Sequence, residues 1–192
     1  WLHTYLPHIQ FMKKSPHKNL ILLAMPGSGK STLGKLLAEK LGWHLVDTDL
    51  LMEANHDRPL QDIFDGLGYE GFCVEEERTL VQLDGEQQII STGGSAIYSE
   101  SAMSHLGSLG LRIFLNLPLE DVLSRVTNFE KRGIACRPGQ DLAELFKERH
   151  PLYLRYADQV IKTRGMSVEE QVHKLQELLD AEHERVAHVQ QM

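Results

Sequence analysis

Leu20-Ile21-Leu22-Leu23-Ala24-Met25-Pro26-Gly27-Ser28-Gly29-Lys30-Ser31-Thr32 joins an apolar run, a Gly-rich turn and the first residues of a helical pattern. A phosphate-binding loop has this layout: Gly, four residues, then Gly-Lys-Ser/Thr. Gly29-Lys30-Ser31 is intact, while Ala24 stands where the pattern has its first Gly. The chemistry tolerates that change. Gly27 and Gly29 let backbone N–H groups converge on phosphate oxygens, with Ser28 and Thr32 beside them. The helix that follows adds the positive end of its dipole. Lys30 reaches the terminal phosphates, and the Ser31 hydroxyl suits Mg²⁺. A nucleotide with Mg²⁺ is the expected ligand.

Working outward, the apolar run is strand one, Leu20 to Ala24. Leu33, Leu36, Leu37 and Leu41 recur at helical spacing, so a helix runs from about Ser31 to Leu41 and stops at Gly42. His44-Leu45-Val46 is a short strand leading into Asp47-Thr48-Asp49. Two carboxylates at a strand's end lie where open α/β sheets bind ligands. One of them also suits a helix N-cap. Helical stretches follow at about 49–56 and 59–65. After the Gly66–Gly71 segment a longer helix spans about 70–84. It carries Glu75-Glu76-Glu77, a run that is solvated unless one acid turns inward. Strand Gln87–Ser91 ends in Thr92-Gly93-Gly94-Ser95, where paired glycines let a ligand approach the backbone.

A helix fits 99–107, and Leu111–Leu117 reads as a strand buried on both faces. Pro118 starts a helix to about Val126. From Asn128 to Asp141 periodicity breaks, and Lys131, Arg132 and Arg137 mix with Gly133, Pro138 and Gly139. That basic loop suits a lid whose Arg stabilises a transferring phosphoryl group. Helix 141–155 carries Arg149, Gln159–Ile161 is the last strand, and Met166 to about His188 is an amphipathic helix. Strand–helix alternation throughout implies an α/β fold with a parallel sheet covered on both faces.

Bulk properties narrow the function. A chain of 192 residues suits one domain. Its net charge of −7 excludes a broad basic surface for nucleic acid. The two cysteines, Cys73 and Cys136, form neither a disulfide framework nor metal spacing, which points to a reducing, cytoplasmic setting. No apolar run reaches membrane-span length. Residues 1–19 lack a signal-peptide pattern and read as an N-terminal extension before a single domain at 20–188.

The ordered set resembles the shikimate kinase family over roughly residues 20–180. The set comprises Gly27 to Thr32, Asp47-Thr48-Asp49, Gly71-Phe72, Thr92-Gly93-Gly94, the loop bearing Arg132 and Arg137, and Glu148-Arg149-His150-Pro151-Leu152-Tyr153 with Tyr156-Ala157-Asp158. The resemblance implies a P-loop NTPase-type three-layer α/β/α sandwich. It has a five-stranded parallel sheet in the order 2-3-1-4-5, a substrate-binding region at about 47–84 and a lid at about 128–141. It implies transfer of the γ-phosphoryl of MgATP to the 3-hydroxyl of shikimate; the expected partner is that small molecule, met by a monomer. By position, Lys30 matches the phosphate-binding Lys, and Ser31 and Asp47 match the metal-side residues. Asp49 matches the acid holding the reacting hydroxyl. Gly93 and Gly94 match the substrate glycines, and Arg149 matches one Arg of the carboxylate clamp. Arg137, ahead of Arg132, matches the lid Arg.

Three positions depart from the family. Ala24 replaces the first P-loop Gly, and Ser95 replaces a third Gly. Cys73 replaces the Arg that grips the substrate carboxylate, so the acid matched by Glu76 loses its partner. A neutral thiol makes no bidentate pair with a carboxylate. Losing such a contact costs about 2–5 kcal/mol. The alternatives are therefore a kinase for another hydroxylated small molecule, or a catalytically silent nucleotide-binding regulatory module.

Overall fold

In the computed structural model the described residues are 19–127, 129 and 134–189, with side chains to 181. The extension assigned to residues 1–19 lies outside them except for Asn19. Arg132, with Lys131 and Gly133, also lies outside them.

Five strands form one sheet in the order β2-β3-β1-β4-β5, and every pairing is parallel. The central strand β1 (Asn19–Ala24) is buried along its whole length. Its side chains alternate between two cores, as a strand's period of two requires. Ile21 and Leu23 enter one core with residues of the third, fourth and sixth helices; Leu20, Leu22 and Ala24 enter the other with residues of the first and last helices. Two apolar faces covered by helices make three layers.

The chain then runs through α1 (Lys30–Leu41), β2 (His44–Asp47), α2 (Thr48–His56), α3 (Leu60–Val81) and β3 (Gln88–Ser91). After a 3₁₀ turn at Ala96–Tyr98 come α4 (Glu100–Leu109), β4 (Leu111–Asn116), α5 (Leu119–Arg125), α6 (Leu142–Tyr156), β5 (Gln159–Lys162) and α7 (Val168–Val189). α1 ends on Gly42 at φ 67°, the left-handed conformation that glycine adopts cheaply. Asn19 ties the start of the sheet. Its amide donates to the carbonyls of Gly85 and Leu109 at 2.9 and 3.2 Å, and its Oδ1 accepts from Gln88 N at 2.9 Å.

One boundary differs from the sequence expectation. The two helices expected around a Gly66–Gly71 break are continuous in α3, except at Gly68 (φ 68°, ψ 178°). That single residue takes the bend, so Gly66 and Gly71 stay helical. The kink lets Ile63 and Phe72 pack with Met52 and Ala135 in a small separate cluster. Phe72 and Ala135 of that cluster also line a cavity beside the phosphate loop. The crevice at the C-terminal ends of β3, β1 and β4 is the ligand position that parallel sheets provide.

Candidate active site

The turn after β1 carries Gly27 at φ 78° and Gly29 at φ 84°. A side-chain carbon on Gly27 would lie 2.6 Å from Val126 Cγ2. Glycine is thus required there by both backbone and neighbour. Lys30 opens α1 directly after the turn. In the sheet Asp47 pairs with Ser91, so the ends of β2 and β3 stand level. Two contacts use that level. Lys30 Nζ donates to Ser91 Oγ at 2.8 Å, and Ser31 Oγ donates to Asp47 Oδ2 at 3.1 Å.

Asp47 has two jobs. Its Oδ1 accepts from Asp49 N at 3.1 Å and Leu50 N at 3.4 Å, capping α2. Its other oxygen faces Ser31. The cap starts the helix so that Asp49 turns into the crevice. Burial pushes the Asp49 carboxyl up, while Lys30 pulls it back down. Burial lowers Lys30, with Asp49, Asp47 and Glu76 opposing. The cation and the acid therefore support each other's charge. Ser31 and Asp47 together offer the hard oxygen donors that Mg²⁺ takes.

A cavity of about 260 Å³ runs from the phosphate loop past Asp49 to Glu76, Gly94, Ser95 and Arg149. Gly93 N donates to Thr48 Oγ1 at 3.0 Å, fastening the glycine turn to the start of α2. Arg149 is fully buried. Its Nε donates to Tyr98 Oη at 3.1 Å, its Nη2 donates to the Ala135 carbonyl, and its guanidinium lies over the Tyr98 ring. Its Nη1 occupies the space a side chain on Gly94 would need. Glycine at 94 thus lets the guanidinium reach the cavity.

Of the expected site residues, the structure brings Gly27, Ser28, Gly29, Lys30, Ser31, Thr32, Asp49, Gly94 and Arg149 around one cavity. Asp47 and Gly93 stand directly behind its wall. Arg137 does not line it. Its guanidinium is half exposed, paired with Glu148 at 2.6 Å and set over Tyr69. That holds it against α3 and α6, outside the residues that line the cavity.

Sequence reasoning gave no role to Ser91, Tyr98 or Tyr153. Tyr153 lies one turn beyond Arg149 on the same face of α6, a spacing that signals a shared surface. Its hydroxyl lies 2.9 Å from the Ala24 carbonyl and 3.0 Å from that of Gly94, bridging the phosphate loop and the glycine turn. Within the acidic run, Glu76 is the member that turns inward, at 1% exposure. Burial pushes its carboxyl up to about 7, with Ser95 as a hydrogen-bond donor holding it lower than burial alone would. Burial also raises the Cys73 thiol, which stays protonated and neutral.

Comparison with known proteins sets this geometry in a lineage. A shikimate kinase family model matches residues 26–180. The shikimate kinase of Histophilus somni (strain 2336) is 35% identical over 167 residues, covering 85% of this chain and 95% of the relative. That of Francisella tularensis subsp. novicida is also 35% identical, covering 84% and 94%. Among solved structures, the shikimate kinase of Acinetobacter baumannii in complex with shikimate superposes with a TM-score of 0.77 at 28% identity, covering 87% of this chain and 95% of that one. The Candida albicans thymidylate kinase, at 15% identity and a TM-score of 0.56, shares the fold alone.

Proposed function

The chain belongs to the shikimate kinase family, and from that premise we propose that it transfers the γ-phosphoryl of MgATP to the 3-hydroxyl of shikimate. The observation that carries this reading is the single cavity with two chemically distinct ends. At one end stand the phosphate loop, Lys30 and Ser31; at the other stand Asp49, Gly94 and Arg149. Phosphoryl transfer depends on positioning and charge neutralisation more than on covalent chemistry, so such a cavity has what the reaction needs.

Lys30 neutralises phosphate charge from a position already braced by Ser91. Ser31 and Asp47, 3.1 Å apart, would hold Mg²⁺ between them and the nucleotide. When bound, that ion neutralises charge on the phosphates. Asp49 orients the acceptor hydroxyl and takes its proton as the new O–P bond forms. Arg149 supplies the cation for the acceptor carboxylate. Arg137, released from Glu148, or Arg132 would close over the phosphates from the lid. The reaction needs only ATP, Mg²⁺ and a small hydroxylated acid, which agrees with the reducing, cytoplasmic setting that the two cysteines suggest.

The test is ADP release with shikimate at about millimolar concentration, the upper end of ordinary KM values. Shikimate-dependent ADP release with one equivalent of 3-phosphorylated product supports the reading. Turnover no higher than the ATPase background removes shikimate. Cys73 favours a second reading in that event, a kinase for another hydroxylated acid. ATP binding with no acceptor in a broad metabolite screen would indicate a regulatory module instead.

A further inference from the structure

Glu76 lines the cavity and is buried among it, yet only half of its carboxyl is accounted for. Oε2 accepts a hydrogen bond from Ser95 Oγ. Oε1 is buried and has no hydrogen-bond partner among the described residues. Buried polar atoms in folded proteins are paired with few exceptions, and an orphan that lines a ligand cavity calls for a donor on the ligand. The position of Oε1 says which donor. A side-chain carbon on Gly93 would collide with Glu76 Oε1 and stand 2.7 Å from Asp49 Oδ1. The two carboxyl oxygens thus flank one point beside Gly93, from α3 on one side and α2 on the other. Two neighbouring hydroxyls on a ring present their O–H donors in that way.

A carboxylate on the ligand does not fit the same oxygen. It would meet an acid beside the neutral Cys73 thiol, while the Arg149 guanidinium is engaged by Tyr98 and the Ala135 carbonyl. We propose that Glu76, tethered by Ser95, is a specificity-determining residue whose Oε1 accepts a hydrogen bond from the acceptor hydroxyl adjacent to the one held by Asp49, so that the protein selects acceptors carrying a vicinal diol. The proposal rests on the reading above that the cavity takes a hydroxylated acceptor. It assigns to Ser95 the donor role toward Glu76, where the resemblance implied an Arg at position 73.

The experiment is steady-state kinetics of the full chain with shikimate and with 4-deoxyshikimate, which lacks the neighbouring hydroxyl. Wild type is compared with Glu76→Ala, Glu76→Gln and Ser95→Gly, and ATP binding by each variant checks that it folds. Wild type prefers shikimate by roughly tenfold or more in kcat/KM, as sites built to hydrogen-bond a hydroxyl do. Glu76→Ala abolishes the preference by raising KM for shikimate and leaves KM for ATP unchanged. Glu76→Gln retains part of it, because the amide oxygen still accepts. If Glu76→Ala does not fold, Glu76→Gln and Ser95→Gly carry the test through a reduced preference. Equal use of both acceptors by wild type, or an undiminished preference in the variants, overturns the proposal. Should wild type use neither compound, the shikimate reading fails separately. The diol proposal is then decided by ADP release with cyclic diols and their mono-hydroxy counterparts, where equal use overturns it.

Discussion

Glu76 makes the stability of this protein depend on pH in a direction opposite to that of most carboxylates. Its carboxyl ordinarily titrates at 4.5, and burial in the fold moves it to about 7. Between those values the folded chain holds a proton that the unfolded chain has released. Folding therefore takes up a proton, and stability falls as pH rises. The contribution is complete below pH 4.5, declines above it, and is gone once the pH passes 7. At 1.36 kcal/mol per pH step, integration from pH 5 to pH 8 gives a loss of about 2.5 kcal/mol. Other groups titrate over the same range, so the measurement is a difference. Urea unfolding of wild type and Glu76→Gln, at pH 5, 6, 7 and 8, isolates this one group because the amide does not titrate. Wild-type stability relative to the variant should fall by about 2.5 kcal/mol across the series. Ser95→Ala removes the donor that favours the ionised form. Its curve should keep the sign and break at higher pH. A wild-type minus Glu76→Gln difference that stays flat from pH 5 to pH 8 would refute the reasoning, since it would mean that Glu76 is ionised throughout.

Two further outcomes follow from the geometry. Asp49→Asn keeps shape and removes the proton acceptor, so kcat in the shikimate assay should fall by roughly 10²–10⁴ while ATP affinity, measured by calorimetry, stays within about twofold. Tyr153→Phe leaves the buried carbonyls of Ala24 and Gly94 without that hydroxyl. It should cost about 2 kcal/mol, seen as a fall in thermal midpoint of roughly 4–8 °C in calorimetry.

How much was legible in the sequence divides along the chain's own geometry. The phosphate end reads directly, because Gly27 to Thr32 is contiguous and its function lies in backbone N–H groups and a helix start that local sequence specifies. Asp47 and Asp49 read nearly as well, since a two-residue spacing at a strand's end sets both the cap and the inward acid. The strand order came from resemblance, not from periodicity, because alternating strands and helices permit several orders. The acceptor end resists reading for a different reason. Ser95 meets Glu76 across 19 residues, and Arg149 meets Tyr98 across 51. Neither pairing leaves a mark in spacing. The kink at Gly68 was obscured by its neighbours Gly66 and Gly71, since three glycines in a row of six give no local sign of which one bends.

The departures at Cys73 and Ser95 look independent in sequence and are one change in space. Glu76 lies between them, three residues from the first on α3 and hydrogen-bonded to the second. A cavity of about 100 Å³, separate from the main one, is lined by Cys73, Glu76, Ser95 and Tyr98. That volume is where a long side chain at position 73 would lie. With a thiol there, Glu76 has no ion-pair partner among the described residues, and the hydroxyl of Ser95 is the donor it meets. Cys73→Arg tests this coupling. The guanidinium has space to reach Glu76, and a charge-assisted pair holds the carboxyl ionised. The pH-dependent loss of about 2.5 kcal/mol derived above should then disappear. Measured by the same urea series, Cys73→Arg and Cys73→Arg/Glu76→Gln should differ by an amount that no longer changes between pH 5 and pH 8. A slope in that difference equal to the wild-type slope would mean that the small cavity does not lead from position 73 to Glu76. The two departures would then have to be explained separately.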